Sequence, residues 1–171
     1  KGMKVQNKII ENNNFGKFYN CDVSKKENAE HTINKILNVE NNIDILVNNA
    51  GVSHIGTIEQ TTTSDLDRLY EINVKSIFFV TKSIIRKMVK NNGGVVLNLS
   101  SIVAKVGVED RFAYSMSKGA VLAMTLSIAK DYIASNIRCN CICPARIHTP
   151  FVDDYLKDNY PGQEKIFFEK L

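Results

Sequence analysis

Tyr114 and Lys118 stand four residues apart in the stretch YSMSK. The run that follows, GAVLAMTLSIAKDYI, has helical spacing, and positions i and i+4 share a helix face. A phenol beside an ammonium is a potential acid/base pair. A free phenol has a pKa near 10, and bringing it to about 7 for base work takes roughly 4 kcal/mol, which a neighbouring positive charge in a partly dry cleft can help to supply. Taken alone, the pair equally fits a snorkelling lysine next to a half-buried tyrosine. Other residues weigh on the choice. Ser101 lies thirteen before Tyr114, Asn48-Asn49-Ala50-Gly51 follows an apolar run, Asn73 sits in EINVKS, and Asp22-Val23 closes KFYNCDV.

These residues need a scaffold that gathers them. Lys17 to Val23 reads as a strand. Lys25 to Val39 reads as a helix with Ser24 as N-cap. Ile43 to Val47 and Gly94 to Leu99 are short apolar runs suited to strands buried on both faces. Residues 64 to 90 form a long amphipathic pattern, with Ser64 and Asp67 spaced as a capping box. Residues 113 to 134 predict a second long helix, and Ile137 to Ile142 a further strand. Alternating strands and helices predict an α/β fold with a parallel sheet covered by helices on both faces. Ligands in such sheets bind beyond the carboxyl ends of the strands. Asp22-Val23, Asn48 to Gly51, Ser100-Ser101 and Pro144-Ala145 all fall there.

The bulk properties narrow the function. The chain has 171 residues, is 44% hydrophobic and 23% charged, and carries a formal net charge of +4. The basic residues are scattered, so neither nucleic acid nor an anionic membrane is an expected partner. No apolar run reaches the roughly 18 residues of a membrane span. Cys139, Cys141 and Cys143 alternate in RCNCICPA, without the paired spacing of a zinc site. Free thiols in a reducing cytoplasm, and no metal, are the expectation for them and for Cys21.

In order and spacing, these residues resemble the short-chain dehydrogenases/reductases, over nearly the whole chain. NNAG at 48 to 51, Asn73, Ser101, the Tyr114–Lys118 pair, Pro144 and Thr149 carry the resemblance. It implies a Rossmann-like doubly wound sheet, binding of NAD or NADP, and reversible hydride transfer with a carbonyl or secondary alcohol. It implies Tyr114 as acid/base, Lys118 as its charge partner and ribose contact, and Ser101 as the hydrogen-bond donor to the substrate oxygen. It also implies that Asn73 holds a water joining Lys118 to solvent. Asp22, Val23, Asn49, Ala50, Gly51, Pro144 and Thr149 would contact the cofactor. Ala145 stands where the family has Gly.

The family's first strand, its Gly-rich phosphate loop and its last strand have no counterpart here. The resemblance therefore implies a single partial dinucleotide-binding domain over residues 1–171, the interior of a protein of about 250 residues. Residues 151–171 would form a substrate lid that begins at His148 and Phe151. Two absent strands would leave roughly 14 Å between residues 17–23 and the strand at 43–47, so a central gap or a rearranged sheet is expected. Arg111 and Arg146 are candidate contacts for an acidic small-molecule substrate, with Arg111 also placed to pair with Glu109 or Asp110. The resemblance favours a sugar, sugar acid or hydroxy acid. A 3-oxoacyl-thioester reductase of fatty-acid synthesis is the alternative within enzymes, and an inactive cofactor sensor is the alternative outside them. Phe78, Phe79, Leu122 and Met124 on the long helices point to a homo-oligomer, a tetramer by family habit.

Overall fold

The computed structural model describes residues 1–40, 42–145, 147 and 150–166. Its helices are α1 (Gly2–Glu11), α2 (Lys26–Leu37), α3 (Thr63–Leu69), α4 (Ser76–Lys90), α5 (Phe112–Tyr132) and α6 (Pro150–Asn159). Its strands are β1 (Ile45–Asn48), β2 (Gly94–Leu99) and β3 (Ile137–Ile142). They pair in parallel in the order β1-β2-β3, with Leu46 opposite Val96 and Val96 opposite Cys139. Parallel neighbours require crossovers, and α4 and α5 are those crossovers.

The core follows from periodicity. Ile77, Val80, Thr81, Ile84, Ile85 and Met88 are all buried on α4 and recur every three or four residues, one stripe of a helix. That stripe closes over Leu46, Val96, Ile137 and Cys139, with Ala29 of α2 in the same cluster. Each large side chain fully buried there contributes about 1.5–3 kcal/mol. Between α4 and β2 the chain turns through Asn92 and Gly93 at positive φ. A Cβ on Gly93 would lie 2.5 Å from the Asn136 carbonyl oxygen, so the turn admits no side chain.

Four expectations change. Lys17 to Val23 forms no strand: none of the described residues offers it a ladder partner. Side chains serve its backbone instead, Gln6 accepting from Phe18 N (2.6 Å) and Asn28 from Asp22 N (2.7 Å). A groove of about 390 Å³ separates this segment from β1, lined on its two sides by Phe18, Cys21 and Val23 and by Leu46, Val47 and Asn48. It lies where the central gap was expected.

The α2 N-cap is Lys25, one residue later than expected, because Ser24 is turned back onto Asp22. The capping box falls two residues early, at Thr62 and Asp65: Asp65 N donates to Thr62 Oγ1 (3.2 Å) and Thr62 N to Asp65 Oδ2 (3.3 Å). Lastly, helices cover one face of the sheet. The face bearing Ile45, Val47 and Ile142 is open among the described residues, these side chains being 64%, 51% and 49% exposed.

The predicted helix from 64 to 90 is continuous, but residues Tyr70–Lys75 widen into a π-turn. Such single wide turns recur at functional sites. Asn73 lies inside this one.

Candidate functional site

The strands end in a buried polar bar. Asn48 Nδ2 donates to Asn98 Oδ1 (2.8 Å) and to Thr81 Oγ1 (3.1 Å). Asn98 Nδ2 donates to Thr125 Oγ1 (2.9 Å) on α5. Low dielectric strengthens these bonds and penalises their loss. The bar ties β1, β2, α4 and α5 together just beneath the sheet's carboxyl edge, so the residues at that edge inherit a fixed frame.

Lys118 is 6% exposed and spans back to the end of β2. Its Nζ donates to the Leu99 carbonyl (2.7 Å), while its own carbonyl accepts from Ser100 Oγ (2.8 Å). Burial lowers its pKa from the usual lysine value. Tyr114, one turn earlier on α5, presents its ring 5.8 Å from Lys118 Nζ. Ser101 caps the short helical turn after β2, accepting from Val103 N (3.4 Å), and its hydroxyl lies near enough to the Tyr114 phenol to lower its pKa. Burial raises the phenol above 10, opposed by the Ser101 hydroxyl and by the charge of Arg111. The depression expected from Lys118 is not seen. The ammonium faces the Leu99 carbonyl, and desolvation outweighs the remaining attractions.

Asn73 is 1% exposed, and its amide is taken up by protein groups. Its Oδ1 accepts from Val52 N (2.8 Å), and its Nδ2 donates to Val52 O (2.9 Å) and Ser117 Oγ (3.0 Å). The amide thus clips the loop after β1 onto α5. Ser117 completes the clip by donating to the Tyr114 carbonyl (2.9 Å). Sequence reasoning missed Ser117, although its place three after Tyr114 on the same helix was a usable signal. Gly51 fits tightly into this corner. A Cβ there would stand 3.2 Å from Asn73 Oδ1 and 3.4 Å from Lys118 Nζ.

Val23, Asn49 and Ala50 all line the groove beside β1. Next to Val23, the Asp22 carboxylate accepts from Ser24 N (3.0 Å) and Ser24 Oγ (2.7 Å), which lowers its pKa. Pro144 adjoins Ser101: its carbonyl accepts from Ile102 N (2.9 Å). Thr149, Arg146 and His148 lie outside the described residues, as does the side chain of Phe151.

Arg111 pairs with neither Glu109 nor Asp110. Its Nη1 donates to the His54 carbonyl (3.2 Å), its Nη2 to the Tyr155 hydroxyl on α6, and its guanidinium carbon lies 4.9 Å from the Tyr155 ring centre. The loop after β1, the start of α5 and α6 therefore meet at one cation. Tyr155 was not foreseen, because only the folded chain brings α6 to Arg111.

A parallel sheet with a groove and polar side chains at its carboxyl edge is the architecture of a Rossmann-like nucleotide-binding domain. More narrowly, the chain belongs to the short chain dehydrogenase family, whose pattern matches residues 1–159. It is 42% identical over 130 residues to dehydrogenase/reductase SDR family member 6 of Xenopus laevis, covering 75% of this chain and 51% of that protein. It is 36% identical over 146 residues to a 3-oxoacyl-(acyl-carrier-protein) reductase of Chlamydia pneumoniae, covering 85% and 58%. Among solved structures it resembles an NAD+-bound xylitol dehydrogenase, with TM-score 0.85, 30% identity, and coverage of 94% of this chain and 64% of that one. The chain spans about half the length of the curated relatives it matches.

Proposed function

We propose that the protein transfers a hydride between NAD or NADP and the carbonyl or secondary alcohol of a small acidic substrate, a sugar acid or hydroxy acid. The observation that carries the reading is the cluster of Ser101, Tyr114 and Lys118 at the sheet's carboxyl edge, fixed by the Asn73 clip. Gly51 lets the loop after β1 approach Asn73 and Lys118 closely, which keeps that loop beside the groove. Val23, Asn49, Ala50 and Lys118 would hold the cofactor, with Pro144 and Thr149 closing over it. When bound, the cofactor supplies or accepts the hydride.

The chain's own residues manage the proton and the geometry. Ser101 donates a hydrogen bond to the substrate oxygen and holds it at the Tyr114 hydroxyl. In reduction, Tyr114 gives its proton to that oxygen as the hydride reaches the carbon. In alcohol oxidation it takes the proton back. Lys118 favours the resulting phenolate by its charge. Arg111 recognises the substrate carboxylate: it is half-buried, acts on the Tyr114 phenol through its charge, and has no carboxylate partner among the described residues.

The similarity to a 3-oxoacyl reductase favours a second reading, reduction of acyl thioesters. A panel of sugar acids, hydroxy acids and acetoacetyl thioesters, followed by nicotinamide absorbance, separates the two. Under the first reading, Arg111→Ala raises KM for acids about ten- to a hundredfold and leaves neutral substrates nearly unchanged. Equal effects on both would return Arg111 to a structural role.

The proposal includes a homo-oligomer, a tetramer, in a reducing cytoplasm. Of the residues expected at this surface, Phe78 is 50% exposed, Leu122 and Met124 are half-buried and Phe79 packs against the core, while Phe112, Met116 and Leu126 on α5 are 42%, 40% and 64% exposed and add to an apolar surface suited to self-pairing. Cys141 and Cys143 lie close enough to hydrogen-bond and remain thiols. Light scattering that returned a monomer for the whole protein would refute the assembly.

A further inference from the structure

We propose that Tyr155 is a specificity-determining residue: its phenol oxygen occupies the anion position of Arg111, and an acidic substrate must displace it. The inference rests on the reading of Arg111 as the carboxylate contact and deepens it.

Three observations support it. First, the guanidinium offers a fork of donors, of which Nη1 holds the His54 carbonyl and Nη2 holds the Tyr155 oxygen. An arginine fork suits two oxygens of one carboxylate, and here two neutral oxygens stand in that role. Second, the Tyr155 ring also stacks at 4.9 Å from the guanidinium carbon, so phenol and cation form one unit. Third, Tyr155 belongs to α6, where it meets Tyr160 edge-on at 6.1 Å between ring centres, whereas Arg111 opens α5. The contact is thus a removable bridge between two elements and not part of a single helix.

The chemistry gives the direction of exchange. A carboxylate adds the attraction of a full opposite charge, and a second oxygen for the fork, to what the same guanidinium gains from a neutral phenol. A carboxylate can therefore take the position, at an affinity reduced by the fraction of molecules in which Tyr155 holds it. A neutral alcohol has no such advantage and leaves the bridge in place. Tyr155 thus tunes the affinity for acids and leaves that for neutral substrates alone. Displacement also removes the contact through which Tyr155 of α6 meets Arg111.

These 171 residues include no tryptophan, so tyrosine dominates their near-ultraviolet circular dichroism. Titrating the whole protein with malonate, a small dicarboxylate, should give a saturable change in that signal. Tyr155→Phe keeps the ring and removes the oxygen. It should bind malonate at least tenfold more tightly, the effect of removing one hydrogen bond to a charged group from competition, and should lose most of the spectral change. Arg111→Lys and Arg111→Gln should both bind weakly. Tyr155→Phe binding malonate equally or less tightly would overturn the proposal, as would wild-type affinity in both Arg111 variants or no binding by any form.

A parallel assay with NAD or NADP and secondary alcohols separates this inference from the reading beneath it. Malonate exchange as described without turnover of any alcohol would sink hydride transfer and leave the role of Tyr155. Turnover of acids with malonate affinity unaltered by Tyr155→Phe would do the opposite.

Discussion

Burial pushes the Tyr114 phenol up while Ser101 and the Arg111 charge pull it down, and burial prevails. A base that is mostly protonated at neutral pH gains its active form as pH rises. Alcohol oxidation should therefore climb with pH and still be climbing at about pH 10, and carbonyl reduction, which uses the protonated phenol, should not. Tyr114→Phe should cost about 10²–10⁴ in turnover while cofactor binding, measured by fluorescence of the reduced nicotinamide, stays near normal. Turnover within a few-fold of wild type would remove Tyr114 from acid/base duty. Lys118→Ala should weaken cofactor binding as well. Gly51→Ala tests the tightness of the same corner. Its new methyl group presses on Asn73 Oδ1 and Lys118 Nζ, so kcat should fall by at least tenfold with the fold intact by circular dichroism. Unchanged kcat would mean that the corner yields without cost.

At the scale of elements, the capping box makes a clean measurement. Thr62→Ala removes the acceptor for Asp65 N and should destabilise the protein by about 1 kcal/mol in urea unfolding. Ser64→Ala should do almost nothing, although the sequence pointed there. Both residues head a polar-x-x-Asp spacing, and local pattern alone does not choose between two adjacent boxes. The strands β2 and β3 were legible to the residue, because β2 is an apolar run and β3 an alternating one, each bounded by turn residues. Lys17 to Val23 has the same appearance and forms no strand, since a strand is a property of two segments and pattern describes one. The site divides in the same way. Ser101, Tyr114 and Lys118 were singled out by their resemblance to a family pattern, the latter two also by their spacing on one helix face. The Asn48–Asn98–Thr125 bar and the Arg111–Tyr155 bridge were not, because side-chain contacts across 27 to 50 positions of sequence leave no periodic trace.

For the molecule as a whole, alkaline pH is the informative stress. Burial raises the Cys139 thiol from 9.0 to about 11, with a smaller push from Cys141. Its folded pKa lies above its unfolded one. The associated stability is therefore whole below pH 9, and is lost as pH rises toward 11 because the unfolded chain ionises first. Up to about 2 kcal/mol is at stake over that window. Unfolding midpoints at pH 8 and pH 10.5 should differ by less in Cys139→Ala than in wild type, whatever the variant's own cavity cost. An equal difference would assign the alkaline loss to other groups. No helix of the described residues is long and apolar enough to cross a membrane.

The wide turn at Tyr70–Lys75 has a consequence for how this chain tolerates change in length. Each residue of an α-helix advances the winding by about 100°. A π-turn takes one more residue than an α-turn to complete nearly the same rotation, so the extra residue is absorbed inside Tyr70–Lys75. Deleting one residue there would let the ordinary winding resume and leave α3 and α4 close to their present relative orientation, whereas tightening the turn without a deletion would rotate α3 by about a quarter turn against α4. What a deletion removes is the local bulge that carries Asn73 to Val52. An insertion of one residue in the loop before Thr62 would leave that bulge in place. In this stretch the number of residues sets whether the helix bulges toward the site.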